Sequence, residues 1–322
     1  MPSRIALIAT ITLIPAGALA QDTPVEPGGD LGQQSDPFST PPPPMEESDD
    51  VIVGGDVYGG PVNRPVGHVG LDLTFMYKEY TVITPFGVAE ADLMSLSPVF
   101  RGLFVLGPSA ALGVDWGFLS FLNLSAGGDG EQGVFPGNPF VGGYYLYPIV
   151  DDLLLQAGGG IALPLSAASD DAEGSAAGAI AAGTHGLFDL WLWLEDVLSL
   201  VAEADLSGTL SQGVYLGAEL ALAIFIPVKD TDARDVEVGS QFALEVGFDT
   251  GVVIPGIRFQ GAWIMTADGD NFQSSLAPFI RVDLGGGYFH AHLLMNLDDP
   301  LGFAFDDEGL YGLMVGGGAN LR

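Results

Sequence analysis

In several apolar runs of this chain, charge falls on one parity. In Phe242-Ala243-Leu244-Glu245-Val246-Gly247-Phe248 the large apolar residues hold one phase, and Ala, Glu and Gly hold the other. Val114 to Phe118 and Val214 to Leu220 repeat the arrangement. Along the whole chain the off-phase set contains Asp72, Asp115, Glu203, Asp205, Glu219, Glu245, Asp249 and Asp283, against Lys78, Arg101, Arg258 and Arg281. Eight acids facing four bases on one surface suit two tasks. Carboxylates and guanidiniums on adjacent strands, such as Glu203, Glu219, Glu245 and Arg258, can tie a wall together through charge-assisted hydrogen bonds. Where carboxylates exceed local cations, the surface favours a mobile cation and a cation-preferring path.

His290 and His292, two residues apart, share one strand face. Such a pair holds a zinc-like ion only with a third ligand, for which Asp283 on the neighbouring strand is the candidate. Two imidazoles alone are more simply read as hydrogen-bonding groups, and no metal is assigned. Outer-membrane phospholipases carry a His, a Ser and an Asn at the barrel rim, but here His292 stands where that family has its serine. Asn296 alone does not rebuild a triad. With no phosphate-binding glycine motif and no nucleophile elbow, the chain is expected to be no enzyme and to need no cofactor. The acidic turns around Asp230, Asp232 and Asp235, from Asp268 to Asn271, and from Asp306 to Glu308 match no calcium-loop pattern. Divalent cations bridging these turns to lipopolysaccharide are a candidate partner.

The elements that must position these residues are strands. Alternating runs separated by Gly, Asp or Pro turns predict strands near 68–79, 91–105, 110–122, 138–147, 153–165, 176–194, 198–208, 213–226, 238–249, 256–266, 275–284, 287–297 and 309–321. That is one more than an even number, and a closed bacterial barrel needs an even count. The apolar phase flips across Gly285-Gly286-Gly287. A two-residue Gly285-Gly286 turn restores one polar face by pairing Asp283 with Tyr288 and Arg281 with His290, whereas a bulge in one long strand also flips the phase. Short connections at Leu106 to Pro108, Pro148 to Asp152 and Glu195-Asp196 read as periplasmic turns. The segments Ser125 to Gly137 and Ser166 to Ser175 read as extracellular loops. Tyr144, Tyr145, Tyr147, Trp191 and Trp193 beside turns are placed in an aromatic girdle.

The N-terminus carries an export signal: Arg4, an apolar core from Ile5 to Ile14, and Ala18-Leu19-Ala20 as a cleavage site, giving a signal peptide over 1–20. Residues 21–65 are acidic and proline-rich, including Pro41 to Pro44, and are expected to be a disordered periplasmic segment. Val51-Ile52-Val53 within it is either a short strand or a plug. There are no cysteines, so neither disulfides nor a lipid-bearing Cys are available. Nine Lys and Arg against 41 Asp and Glu give a net charge of −32, which excludes nucleic acid as a partner. The chain is nonetheless 48% hydrophobic, with a mean hydropathy of +0.37. Charge and apolarity coexist if a greasy belt surrounds a charged lumen.

Signal, acidic spacer and Gly-rich alternating strands together resemble bacterial outer-membrane β-barrel proteins of the porin-like class over residues 66–322. The resemblance implies an all-β fold, a transmembrane antiparallel up-and-down barrel of about 12 strands, within a range of about 10–14. It implies residence in the cell outer membrane amid lipid and lipopolysaccharide, after delivery by the outer-membrane assembly machinery. Gly316 and Leu321 fit the assembly signal of that class, whereas Arg322 departs from its terminal aromatic residue. The leading functional expectation is passive passage of small hydrophilic solutes, preferentially cations. The alternative is a structural or surface-interaction barrel with a plugged lumen.

Overall fold

Alternation becomes strand wherever one parity can face lipid and the other a shared interior. The computed structural model describes residues 67–84, 87–126, 129–150, 153–168, 172–210, 212–229, 235–266, 271–298 and 311–321. In chain order the strands are β1 (Gly67–Thr84), β2 (Gly87–Gly107), β3 (Ala110–Trp116), β4 (Ser120–Ala126), β5 (Asp129–Phe135), β6 (Pro139–Val150) and β7 (Leu153–Ala162). After a helical segment come β8 (Val197–Leu210), β9 (Val214–Pro227), β10 (Glu237–Phe248), β11 (Val253–Ile264), β12 (Phe272–Asp283), β13 (Gly287–Asn296) and β14 (Tyr311–Leu321). Each is antiparallel to its neighbour. The ring runs β1, β14 and back in order to β6, then β3 and β2, and closes where β2 pairs with β1.

That ring has twelve strands, because β4 and β5 form a hairpin extending the far half of β2 and do not enter the closed circuit. Closure removes the open sheet edge that a lipid setting forbids. Outward positions are large and exposed: Leu71, Phe75, Leu220, Leu222, Ile224, Leu244, Val246, Ile257, Ile280 and Leu313. Their neighbours of opposite parity are buried inside, as with Leu244 at 57% exposure beside Ala243 at 1%. Both described chain ends, Gly67 and Leu321, pair at one rim, where the connections between strands are two to four residues long. Longer connections gather at the other rim.

The Gly285-Gly286 turn exists, with Asp283 opposite Tyr288 and Arg281 opposite His290. Gly285 supplies the positive φ, +72°, which the tight connection requires. Two expectations fail. The strand placed at 176–194 is helical: α1 (Ala172–Thr184) and α2 (Gly186–Asp189), flanked by single 3-10 turns at Leu165–Ala168 and Leu190–Leu192. Alanine fills six of the thirteen α1 positions and is the strongest helix former, so the small-residue alternation there was a false strand signal. Glu195-Asp196 therefore lies at the long-loop rim, at the end of this insert. The second failure is 110–122, which breaks into β3 and β4 after Trp116; the ring of Trp193 lies against Gly117, where any Cβ would collide with it. Val51-Ile52-Val53 and the acidic turns at Asp230, Asp232, Asp268 and Asp306 lie outside the described residues.

Candidate functional site: a charged lumen closed by a helical insert

The insert between β7 and β8 folds inward. Its apolar side, with Ala177, Ile180, Ala181, Leu192 and Trp193, joins Phe135 of the β4–β5 hairpin and Phe140 of the wall in one buried cluster. Small residues permit the approach: Gly133 lets the backbone of Glu173 lie on β5, and Gly178 lets α1 rest on the Phe135 ring. Asn138 fastens the neck, its Nδ2 donating to the carbonyls of Trp191 and Leu194 while its Oδ1 accepts from Ser166 N. Gln241 on β10 grips α2 from the opposite wall. Its Nε2 donates to Gly186 O at 2.7 Å, and its Oε1 accepts from Leu190 N at 2.9 Å. Trp191 and Trp193, placed in a girdle by the sequence, are instead 3% and 1% exposed inside the barrel. Tyr144 is likewise inside, whereas Tyr145 and Tyr147 are exposed on the outer wall.

Arg101 on β2 joins wall to insert. Its Nε donates to Asp72 at 2.6 Å and its Nη2 to Asp189 of α2 at 2.5 Å, with Asp115 at 3.8 Å. Its Nη2 also lies 3.4 Å from His185 Nε2. A guanidinium only donates, so that nitrogen accepts. His185 then carries its proton on Nδ1, which donates to Thr74 Oγ1 at 2.6 Å. This histidine belongs to the insert, outside the strands that cross the membrane. Complete burial, and then the Arg101 charge, hold its pKa down at about 4.

On the other side of Asp72, His290 Nε2 is 2.9 Å from the carboxylate. These two residues are separated by β14, where Gly316 is the register partner of both. Any side chain at 316 would occupy the space where carboxylate and imidazole meet, so this glycine is required by the bridge. His292 meets His290 in a T-shaped contact, 5.3 Å between centroids. It stacks on Phe279 at 5.3 Å between centroids and meets the edge of Phe188. Asp283 caps the 285 turn by accepting from Gly285 N, and Asp249 accepts from Thr209 and Gly251 N. Both therefore sit at the short-turn rim and serve its connections. Among the described residues no cluster of three metal-ligating side chains forms.

A second network spans β9 to β12. Arg258, 1% exposed, donates to both carboxylate oxygens of Glu219, to Glu245 and to Gln260. Arg281 donates to the other oxygen of Glu245 at 2.7 Å and to the Tyr215 hydroxyl. Register explains the pairing, since Glu245 and Arg258 are direct cross-strand partners. Glu203 stands apart from this network and accepts from the Tyr144 hydroxyl at 2.6 Å. Between the two networks lies a cavity of about 80 Å³, walled by Asp115, Asp189, Glu203, Asp205 and Glu219, by Arg101 and Arg258, and by Tyr144, Phe188 and Trp191. Lys78 is buried inside the barrel. What the sequence missed is the insert's contribution, His185, Phe188 and Asp189; the alanine content of 172–184 was the available signal.

No family model matches the chain, and no curated protein matches its sequence. Solved structures do match by fold. An outer membrane channel from Pseudomonas putida F1 superposes with a TM-score of 0.51 at 14% identity, over 80% of this chain and 96% of that one. The NanC porin aligns at a TM-score of 0.41 and 7% identity over 77% of this chain and 100% of its own. The TodX monoaromatic hydrocarbon channel aligns at 0.38 and 12% over 80% of this chain and 91% of that one. By topology and closure, with an apolar outer wall, the chain is a twelve-stranded antiparallel β-barrel, the fold of the Pseudomonas putida channel.

Proposed function

We propose that this barrel is an outer-membrane channel for small hydrophilic solutes, with its lumen narrowed by the helical insert and biased toward cations. The observation that carries the reading is the cavity between the networks, where five carboxylates face two arginines. Both arginines are already committed to ion pairs, Arg101 with Asp72 and Asp189, Arg258 with Glu219 and Glu245. A low-dielectric wall focuses the remaining negative field along the lumen. The superposed Pseudomonas putida protein is itself described as a channel. Small polar solutes pass such a path without chemistry, losing part of their hydration to wall groups and regaining it at the exit.

The same reading gives the remaining segments their tasks. Residues 1–20 direct export, 21–65 form an acidic periplasmic segment, and 66–322 assemble in the outer membrane with lipid, lipopolysaccharide and the assembly machinery as partners. One observation favours the structural alternative: the insert and the arginine networks occupy much of the lumen. Reversal potentials across a KCl gradient test the proposal. Cation preference that fades with rising salt supports it, because the Debye length falls from about 10 Å at 0.1 M to about 3 Å at 1 M. Anion preference at low salt overturns it.

A further inference from the structure

We infer that α2 is an acid-released gate leaf: it is latched across the lumen while His185 is neutral, and protonation of that ring frees it while the neck of the insert holds. This rests on the channel reading and names its regulation. Leaf and neck are fastened differently. The neck is tied by amides, hydroxyls and backbone groups: Asn138 to Trp191, Leu194 and Ser166, Ser166 Oγ to Leu194 O and Asp196 N, and Val228 N to Asp196 O at 2.9 Å. Such groups do not titrate near neutrality. α1 is fixed by packing on β5 and on the Phe135 ring. The leaf is instead gripped by three strands at once: Thr74 on β1 bonds His185, Arg101 on β2 bonds Asp189, and Gln241 on β10 bonds Gly186 and Leu190. His185 stands at the joint between α1 and α2, and of the four histidines in the chain it alone belongs to the insert.

Geometry requires a neutral ring at this latch. Nε2 faces Arg101 Nη2 at 3.4 Å, and a guanidinium only donates. A second proton would set donor against donor and cation against cation at a residue with 0% exposure. The charged and titratable groups around the ring are Asp72 on β1, Arg101 on β2, His290 on β13 and Asp189 on α2. Asp115 on β3 stands beyond Arg101, 3.8 Å from it. Arg258 on β11 covers Phe188, whose ring lies 5.8 Å from that of His185 between centroids. Asp72 and Asp189 are both bonded by Arg101. Burial and Arg101 outweigh the pull of these carboxylates and hold the docked imidazole at about 4. Released into water it returns to 6.5, so the freed leaf binds the proton more tightly and acid favours release. Release bears on passage because Leu187, Phe188 and Asp189 form one wall of the lumen cavity, which widens when they leave.

The test reads movement and conduction separately. Of the four tryptophans, Trp191 and Trp193 belong to the insert, so Trp116→Phe with Trp263→Phe leaves only the insert reporting. In phospholipid vesicles, acrylamide quenching of this reporter protein should climb between about pH 7.5 and pH 4. Adding His185→Gln, which keeps a donor and an acceptor but no titratable proton, should leave quenching flat. In planar bilayers the ratio of open to closed time should rise about 30-fold from pH 7.5 to pH 5 and about 300-fold by pH 3, as values of 6.5 released and about 4 docked dictate. A thiol crosslink between Gln241→Cys and Leu190→Cys, in a chain with no other cysteine, should abolish both responses. Heat-modifiable mobility on gels checks that each variant is folded. Flat quenching in the reporter protein overturns the gate, as does an equal climb in His185→Gln or an acid response that survives the crosslink. If quenching climbs as expected but no conductance appears at any pH, the latch stands and the channel reading fails. If the protein conducts without any acid-dependent quenching, the channel reading stands alone.

Discussion

Replacing Arg258 with Met is the sharpest probe of how the lumen is held together. The guanidinium is 1% exposed and holds Glu219 and Glu245, of which Glu245 is 2% exposed. After the change Glu245 retains Arg281. Glu219 loses the partner that bound both of its oxygens. Breaking a buried pair from one side costs about 3–5 kcal/mol, because the surviving charge stays desolvated. Retention of the Arg281 bond places the expected loss at the lower end, about 3 kcal/mol. Removing the orphaned charge as well, in Arg258→Met with Glu219→Gln, should recover at least half of it, since a neutral amide is cheaper to bury than a carboxylate. Urea unfolding in phospholipid vesicles, followed by tryptophan fluorescence, reads both values. If Arg258→Met lies within about 0.5 kcal/mol of wild type, the network is a solvated decoration and the reasoning is wrong. A double variant less stable than the single one refutes the desolvation argument specifically.

Two further outcomes follow from parity and from His185. Leu244→Arg, on the outer wall, should cost about 2–4 kcal/mol in lipid. Ala243→Ser on the inner face should cost less than about 1 kcal/mol, and equal penalties in the vesicle assay would show that both faces are buried. His185 is held near 4 when docked and returns toward 6.5 when released, so the released insert binds the extra proton. Docking is therefore fully stable above about pH 6.5 and weakens as pH falls toward 4, by roughly 3 kcal/mol in total. The groups that face this imidazole are Thr74 and Asp72 on β1, Arg101 on β2, His290 on β13 and Asp189 on α2. Tryptophan accessibility to a soluble quencher should rise on acidification in wild type and much less in His185→Gln; an identical rise in both removes His185 as the cause.

The strands were legible because lipid and lumen impose opposite demands on alternate residues, and a run such as Phe242 to Phe248 satisfies both at once. The hairpin at Gly285-Gly286 was legible only as one of two readings, since a bulge also flips the phase, and the pairing of Arg281 with His290 decides for the turn. The insert was hidden because its burial comes from inside the barrel. Ala-rich α1 rests on β5 and has no polar face, so no helical periodicity marks it and its small-residue alternation reads as strand. The break at Gly117 was also unreadable, since the Trp193 ring packed against it comes from far along the chain. Gly217 shows the limit of parity alone: it is on the inward phase, but a Cβ there would meet Glu245 at 3.0–3.1 Å, so Ser fits only if that side chain yields by a few tenths of an ångström. The candidate charges could be assigned to the interior from parity, whereas their partners depended on register and on Asp189 and His185 from the insert.

In the proposed channel the insert, and not the barrel wall, limits passage through a polar lumen. Ala162 and Ser199 are paired neighbours on β7 and β8, so residues 165–195 can be exchanged for a short Gly-Ser turn without stretching the ring. Single-channel recording in planar bilayers then compares this variant with wild type. The account expects small ohmic, cation-preferring steps from wild type and steps several-fold larger from the variant. Silence from both proteins, with the variant shown to be folded and inserted, would contradict it and leave a barrel closed by its own walls.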